Sequence, residues 1–316
     1  MNNYTPAKFW NRIGAILIDA ILLGLFGLLL SLFLFDFFVR LGQYGVFIGL
    51  IIGLIYFTIG NSRITGGQTV GKYLTKIRVV DHQENYLSIS KSLQRSAIIL
   101  TPYFLSGFFI PGVGVDSMIQ IVWTLACTII LFGVVFFYLF NTASRQSLHD
   151  IIMKTYVVRE YKDDEDEFTP IPAKPLLVYI FGGLSLLIVV FYSYFLFSSN
   201  TGLKPLITLR EKYRQTEGIS DAAVSQNTNT RIDSNGRFTT TILNCSLTFN
   251  RELIHDAEKN KVFISTAKLA LDNYPDMKSV NYLVITLNRG YNIGIAQSNR
   301  SESKAKTPKE WRALIK

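Results

Sequence analysis

The stretch IGAILIDAILLGLFGLLLSLFLF, residues 13–35, decides the fold. It is long enough to cross a bilayer, which takes about 20 apolar residues in a helix. Lys8, Trp10 and Arg12 stand just before it, and one acid, Asp19, lies inside it. Arg12 and Asp19 are seven positions apart and share a helix face at ~100° per residue. At ~1.5 Å per residue they are offset by roughly 10 Å, too far for an ion pair within the helix. An acid inside a spanning helix costs on the order of 2.5–3.5 kcal/mol, and it usually faces a bundle or a cavity. Both charges therefore need partners from other parts of the chain, or water.

Four more segments follow the same logic. Spans are expected at 44–59, 96–113, 118–140 and 176–197, so the chain reads as an α-helical polytopic membrane bundle of about five spans. Gly45, Gly49 and Gly53 recur on one face of the second span, a pattern that lets helices approach closely in lipid. Pro102 interrupts the third, and Pro111-Gly112 ends it. The first run is longer than a signal-peptide core and lacks a small-x-small cleavage pattern, so it is expected to stay in the membrane.

Of the 316 residues 49% are apolar, and the formal charge of +9 is unevenly placed. Up to Lys174 basic residues number 14 against 12 acids, and from Lys204 onward 18 against 11. The second part is thus a basic domain suited to lipid headgroups or an acidic partner, against the plain alternative of a solvated basic surface. No nucleic-acid partner is expected. Cys127 lies in an apolar run and Cys245 in the polar part, so they are not expected to pair, and neither a disulfide framework nor a metal cluster is available.

Between the second and third spans runs a polar segment, 61–95. Its Gly66-Gly67-Gln68-Thr69-Val70-Gly71-Lys72 only superficially resembles a phosphate loop, because Tyr73 stands where Ser or Thr must hold Mg²⁺ and no strand precedes it. Val70, Tyr73, Leu74 and Ile77 fit one face of an amphipathic helix in the membrane interface. Ile77-Arg78-Val79-Val80 equally fits a short strand with 81–85 as its turn. After the fourth span, the acidic run 162–167 and Pro170, Pro172 and Pro175 read as a stiff, solvated linker. The acids are contiguous and lack a turn glycine, so they do not make a Ca²⁺ loop.

The domain reading is a four-helix membrane domain over 1–160, a linker over 161–175, a fifth transmembrane helix over 176–198 and a soluble α+β domain over 199–316. In the last, a helix is expected over 205–215 and a hairpin over 231–249 with Ser234-Asn235-Gly236 at its turn. A helix over 251–273 and a second hairpin turning at Asn288-Arg289-Gly290 follow, and Thr307 caps a final helix with Pro308 at its first position. His255 and Asp256 are adjacent and point apart on a helix. The serines and Cys245 lack a paired base by sequence, so no catalytic set, no enzyme activity and no cofactor are expected.

Lys and Arg in short loops set the orientation. The N-terminal arm, 61–95 and 141–174 are basic-rich, whereas 36–43 and 114–117 contain only Arg40. The N-terminus is expected to be cytoplasmic, and five spans then place the C-terminal domain on the other side.

Three pieces line up along the chain. They are Phe9-Trp10-Asn11-Arg12 with Asp19; Gly67-Gln68-Thr69-Val70-Gly71-Lys72 with Ile77-Arg78-Val79-Val80-Asp81; and Arg145-Gln146-Ser147-Leu148-His149-Asp150 with Thr155-Tyr156-Val157-Val158. Together they resemble the RDD family of bacterial membrane proteins over residues 7–159, with Arg12, Asp19 and Asp150 at the arginine and two aspartates of its name. The resemblance implies a bacterial inner membrane and suggests transport, since exchange of sodium or potassium for protons has been attributed to some members.

Arg12 at the cytoplasmic interface and Asp150 past the fourth span are expected to pair, with Arg145 and Arg95 as alternative partners. His149 is expected to titrate near neutrality and relay protons beside Asp150. Asp19 is the candidate proton or cation site, and a charge network that fixes helix register is the alternative. Four spans show no inverted repeat or broken-helix pair, so a transport pathway requires a homo-oligomer. Two functions remain: transport of a small cation or solute, or a membrane-anchored binding or sensing protein whose outer domain takes a ligand or partner. A water-accessible Asp19 marks the first. A dry bundle with a concave site or bare sheet edge on the outer domain marks the second.

Overall fold

The computed structural model describes residues 4–114, 117–160, 174–197, 203–233, 236–250 and 256–315. The chain forms two compact units: Met1–Leu30, Val46–Phe197 and Ile293–Ala296 make the first, and Ser31–Gly45, Ser198–Asn292 and Gln297–Lys316 the second.

After strand β1 (Tyr4–Pro6), helix α1 runs Phe9–Leu41 and leaves helical geometry at Leu34. A 3-10 turn over Gly42–Gly45 leads into α2, Val46–Gly60. Then come α3 (Val70–Leu74), β2 (Ile77–Asp81), α4 (Ile89–Leu105), α5 (Met118–Phe140), α6 (Leu148–Met153), β3 (Thr155–Glu160) and α7 (Pro175–Phe197). Three helical stretches among the described residues are long and apolar enough to cross a membrane: Phe9–Gly60, which holds both α1 and α2, Met118–Phe140 and Pro175–Tyr194. Their outward side chains, such as Leu25 and Leu29 on α1 and Leu187 and Phe191 on α7, are exposed as lipid-facing residues are.

The expected third span differs most. α4 starts at Ile89 rather than at 96, because the Ser88 side chain accepts from the Lys91 amide and caps the helix inside the polar segment. Its first turns carry Ser92, Arg95 and Ser96, all buried, and it stops at Leu105. α4 is therefore not among the three apolar stretches. The glycine face of α2 also does more than join helices. Gly53 meets Leu100 and Phe104 of α4 at ordinary contact, but a Cβ on Gly49 would lie 2.0 Å from the Ile293 carbonyl oxygen. That face seats the loop Ile293–Ala296, whose Ile295 and Ala296 also lie against Gly27 of α1.

A three-stranded antiparallel sheet in the order β1-β3-β2 was not foreseen. Ile77 pairs with Arg159 and Asp81 with Thr155, while Tyr4 pairs with Glu160. The strand reading of 77–80 holds, and so does its turn, where Asp81 Oδ1 accepts from the Gln83 and Asn85 amides. The interfacial helix shrinks to α3. Thr75 Oγ1 donates back to the Gly71 carbonyl, Lys76 takes a positive φ, and Ile77 is buried in the sheet core with Val79, Leu87 and Val157. Val70, Tyr73 and Leu74 remain exposed.

The second unit is α+β, as expected. Helix α8 (Leu203–Arg214) precedes strands β4 (Ile219–Asp233) and β5 (Gly236–Phe249), then come α9 (Asp256–Asn273), β6 (Tyr282–Asn292), β7 (Gln297–Lys306) and α10 (Pro308–Ile315). The sheet order is β4-β5-β6-β7, with β5 parallel to β6 and the other pairs antiparallel. One sheet face buries Leu243, Leu247, Leu283 and Ile285 under Leu209 and Tyr213 of α8, Phe263 and Ala267 of α9 and Trp311 of α10. Trp311 Nε1 donates to the Leu283 carbonyl at 2.9 Å, and Thr307 and Glu310 cap each other at the start of α10. Cys127 and Cys245 are both buried and free.

Two turns were misplaced. β4 begins at Ile219, so the first hairpin is far longer than its 231–233 segment suggested. Asn288-Arg289-Gly290 lies inside β6, where Asn288 donates to Ser246 Oγ on β5 and pairs with Ser301 on β7. The chain turns instead at 293–296, with Gly294 at positive φ. In the same unit the end of α1 meets β6: Arg289 Nη2 lies 2.7 Å from Asp36 Oδ1, and Tyr291 packs on Phe35 and Phe38. The acidic run 162–167, Pro170 and Pro172 of the linker, Ser234-Asn235 and His255 lie outside the described residues.

Candidate functional site

The first unit gathers the charges that the sequence scatters over 138 positions. α1 supplies Arg12, α4 supplies Arg95 and α6 supplies Asp150, whose side chain is fully buried. Arg12 Nη2 donates to Asp150 Oδ2 at 2.7 Å, and its Nη1 donates to the Arg145 carbonyl. Arg95 takes the other oxygen, Oδ1, through Nη2 at 2.6 Å and Nε at 3.1 Å. Thr155 Oγ1 also donates to Oδ1 at 3.1 Å, and the Ser147 amide lies 3.3 Å from Oδ2. Burial alone raises the Asp150 carboxyl, but its neighbours, Arg95 first and then His149 and Arg12, together hold the group well below the usual carboxylate range.

The pair sits where local structure puts it. Lys154 closes α6 in the left-handed region and turns the chain into β3, which brings Thr155 back under Asp150. Gln146 Nε2 fixes that return by donating to the Thr155 carbonyl at 2.9 Å. The Arg12 guanidinium stacks 5.4 Å from the Tyr138 ring of α5, whose hydroxyl donates to the Phe9 carbonyl. Arg145 takes part through its backbone, whereas Arg95 is a full partner.

His149 does not behave as its type suggests. It is buried, with Nδ1 2.8 Å from Ser147 Oγ and Nε2 3.7 Å from Asp150 Oδ1. Burial pushes its imidazole down to about 3; attraction from Asp150 opposes this, and repulsion from Arg95, Arg12 and Lys72 adds to it. It is therefore neutral at physiological pH, and the expected titration near neutrality is absent.

Asp19 occupies a separate pocket and is 1% exposed. Its Oδ1 accepts from the Tyr56 hydroxyl at 2.6 Å and the Gly71 amide at 2.7 Å, and its Oδ2 from Thr69 Oγ1 at 2.6 Å. All three donors were missed as site residues, although Thr69 and Gly71 lie in the quoted motif. Their geometry explains it: a Cβ on Gly71 would lie 2.2 Å from the Ala15 carbonyl, so only glycine lets α3 come this close to α1. Thr69 is also the cap of α3, accepting from the Lys72 amide.

Lys72 is the remaining overlooked residue. Its stem keeps intermediate exposure, but its ammonium points inward, donates to Asn61 Oδ1 at 2.7 Å and lies 5.8 Å from the Phe57 ring. Burial pushes it down to about 7; repulsion from Arg95 adds to this, and attraction from Asp19 and Asp150 opposes it. No group of three or more metal-ligating side chains occurs among the described residues.

The RDD family model matches residues 6–154, the segment that contains Arg12, Asp19, Arg95 and Asp150 and the quoted motifs up to Asp150, while Thr155-Tyr156-Val157-Val158 follows just beyond it. No curated protein and no solved structure matches the chain.

Proposed function

We propose, on the premise that residues 6–154 are an RDD-family membrane domain, that the protein is a membrane-anchored recognition protein without enzymatic activity. In this reading the bundle is a locked platform and the C-terminal α+β domain does the binding. The observation that carries it is the state of Asp19, closed from solvent with its carboxylate filled by three protein donors. Such a group fixes α1, α2 and α3 against one another, with both carboxylate oxygens already held by protein donors.

The recognition element is the outer edge of β4. It is an edge strand among the described residues, and from Ala222 to Thr230 it carries no charge. Arg210 of α8 covers its first part by donating to the Ala222 carbonyl, and exposure grows toward Asn227, Thr228, Asn229 and Thr230. The opposite edge, β7, is blunted by Arg300, Lys304 and Lys306. An uncharged open edge suits an extended protein segment that adds as a further strand.

The chain in this reading has five spans, α1, α2, α4, α5 and α7, in a bacterial inner membrane, with a cytoplasmic N-terminus and an extracytoplasmic C-terminal domain. The Lys and Arg bias of the loops supports that orientation. So does the Asp36–Arg289 pair, which puts the far end of α1 in one unit with the sheet. Membrane lipids and a second copy of the chain are further partners. Proton-coupled transport of a small cation or solute is the second reading, and the Lys72 ammonium close to Asp19, at about 7, favours it. Reconstitution into liposomes under a pH gradient separates the two. Equal cation and proton fluxes in wild type and Asp19→Asn support the platform, and a flux present only in the wild type overturns it.

A further inference from the structure

The buried charges of the first unit do not balance. Arg12, Arg95 and Lys72 bring three positive groups within mutual electrostatic reach, against Asp19 and Asp150, while His149 stays neutral. Both carboxylates are engaged with other groups. Asp150 is shared by the two arginines, and Asp19 is filled by Tyr56, Thr69 and Gly71. Lys72 has no acid in contact among the described residues, and of its three N–H groups one is used, on Asn61. An ammonium hidden in this way costs several kcal/mol unless a counter-charge joins it.

Two buried hydroxyls on α2 and α4 also lack an acceptor. Thr58 Oγ1 and Ser96 Oγ are buried and have no hydrogen-bond partner. Thr58, near the end of α2, stands three positions before Asn61 and next to Phe57, whose ring lies 5.8 Å from the Lys72 ammonium. Ser92 Oγ donates to the Thr58 carbonyl at 2.7 Å, which brings α4 against α2 at this level, and Ser96 is one turn further along the same α4 face. Both hydroxyls can donate. The cluster thus has one positive charge too many and an excess of unused donors.

We propose that Lys72, with Thr58 and Ser96, holds a monovalent anion of about the size of chloride. One such ion cancels the excess charge and gives the Lys72 ammonium and the two hydroxyls an acceptor. It neutralises the interior and ties α2, α3 and α4 together, so its role is to complete the bundle. The assignment is independent of what the outer domain binds.

The test uses the full chain in detergent micelles at constant ionic strength, with sodium chloride replaced stepwise by sodium gluconate, at pH 6. Thermal unfolding and the ³⁵Cl NMR line width are followed together. The wild type is expected to gain stability saturably with chloride and to broaden the ³⁵Cl line, and bromide is expected to displace the broadening. Lys72→Met is expected to lose both effects and Lys72→Arg to keep them. Ser96→Ala and Thr58→Val are each expected to weaken chloride about tenfold, as for a hydrogen bond to a charged group. These two carry the test if Lys72→Met does not fold. A wild type indifferent to chloride, or a chloride response unchanged in the Lys72 or in both hydroxyl variants, overturns the proposal.

Discussion

Arg12 and Asp150 meet at 2.7 Å although 138 positions separate them, and the contact closes the first unit from its first helix to its last strand turn. Arg95 holds the second carboxylate oxygen, so each acid oxygen has its own cation. Asp150→Asn is expected to cost about 3–5 kcal/mol, because it leaves two buried guanidinium groups without a counter-charge. Arg12→Met is expected to cost less, since Arg95 still neutralises the acid. Unfolding in mixed detergent, read by tryptophan fluorescence, checks the ranking.

Gly71→Ala tests the second pocket. The added methyl would lie 2.2 Å from the Ala15 carbonyl and 2.8 Å from Asp19 Oδ1, so α3 must retreat from α1. A loss of about 1–3 kcal/mol is expected, as for other overpacked sites. Gly182→Ala, where nothing lies within 4 Å, is the control and is expected to be neutral or mildly stabilising.

The pH dependence has a definite sign. The unfolded chain protonates His149 near its ordinary 6.5, but the folded protein resists down to about 3. The unfolded state therefore binds more protons in that window, and stability falls as pH drops through it. Asp150, also depressed, adds a loss below its ordinary 3.8. In His149→Gln the decline is expected to begin near pH 4 instead of near 6.5. For Lys72, held at about 7 against an ordinary 10.5, the same relation makes stability rise from pH 7 toward 10.5. Lys72→Met is expected to lose that rise in gluconate buffer.

The Asp36–Arg289 pair contrasts with the buried cluster. Its geometry is good, but the Asp36 side chain is 70% exposed. Asp36→Asn is expected to change stability by less than about 1 kcal/mol. A cysteine pair at 36 and 289 tests the contact itself: rapid crosslinking by a short bifunctional reagent is expected, and no crosslink would show that the end of α1 lies elsewhere.

Charging the free edge of β4 tests recognition. Asn227→Lys with Asn229→Lys is expected to leave stability within about 0.5 kcal/mol, since both side chains are exposed. The same change is expected to abolish photocrosslinking of a bound segment from position 230, as a lysine-lined edge resists strand addition.

What the sequence revealed and concealed follows from the range of the forces involved. Helices α1, α2, α5 and α7 were legible because lipid imposes length and apolarity on one continuous segment. The β5 and β6 strands and the Thr307 cap were legible because propensity and capping act over a few residues. The β1-β3-β2 sheet was hidden, since it joins Tyr4 to Glu160 and Asp81 to Thr155 through a register that no local pattern encodes. Within the site, Arg12, Arg95 and Asp150 could be named as charges out of place in an apolar setting. Tyr56, Thr69 and Gly71 could not, because a hydroxyl and a backbone amide carry no mark of the carboxylate they will serve. Lys72 looked like an ordinary surface lysine until the fold turned it inward.

The loop Ile293–Ala296 imposes an order on biogenesis. The grooves at Gly27 and Gly49 belong to helices that are synthesised long before the residues that fill them, which lie far downstream in the chain. Until residue 293 is made, those helices sit in the membrane without the loop in its seat. A nascent chain halted before residue 293 would therefore hold its helices with that gap still to be filled, so the bundle is completed only after the sheet strand that precedes the loop has been made.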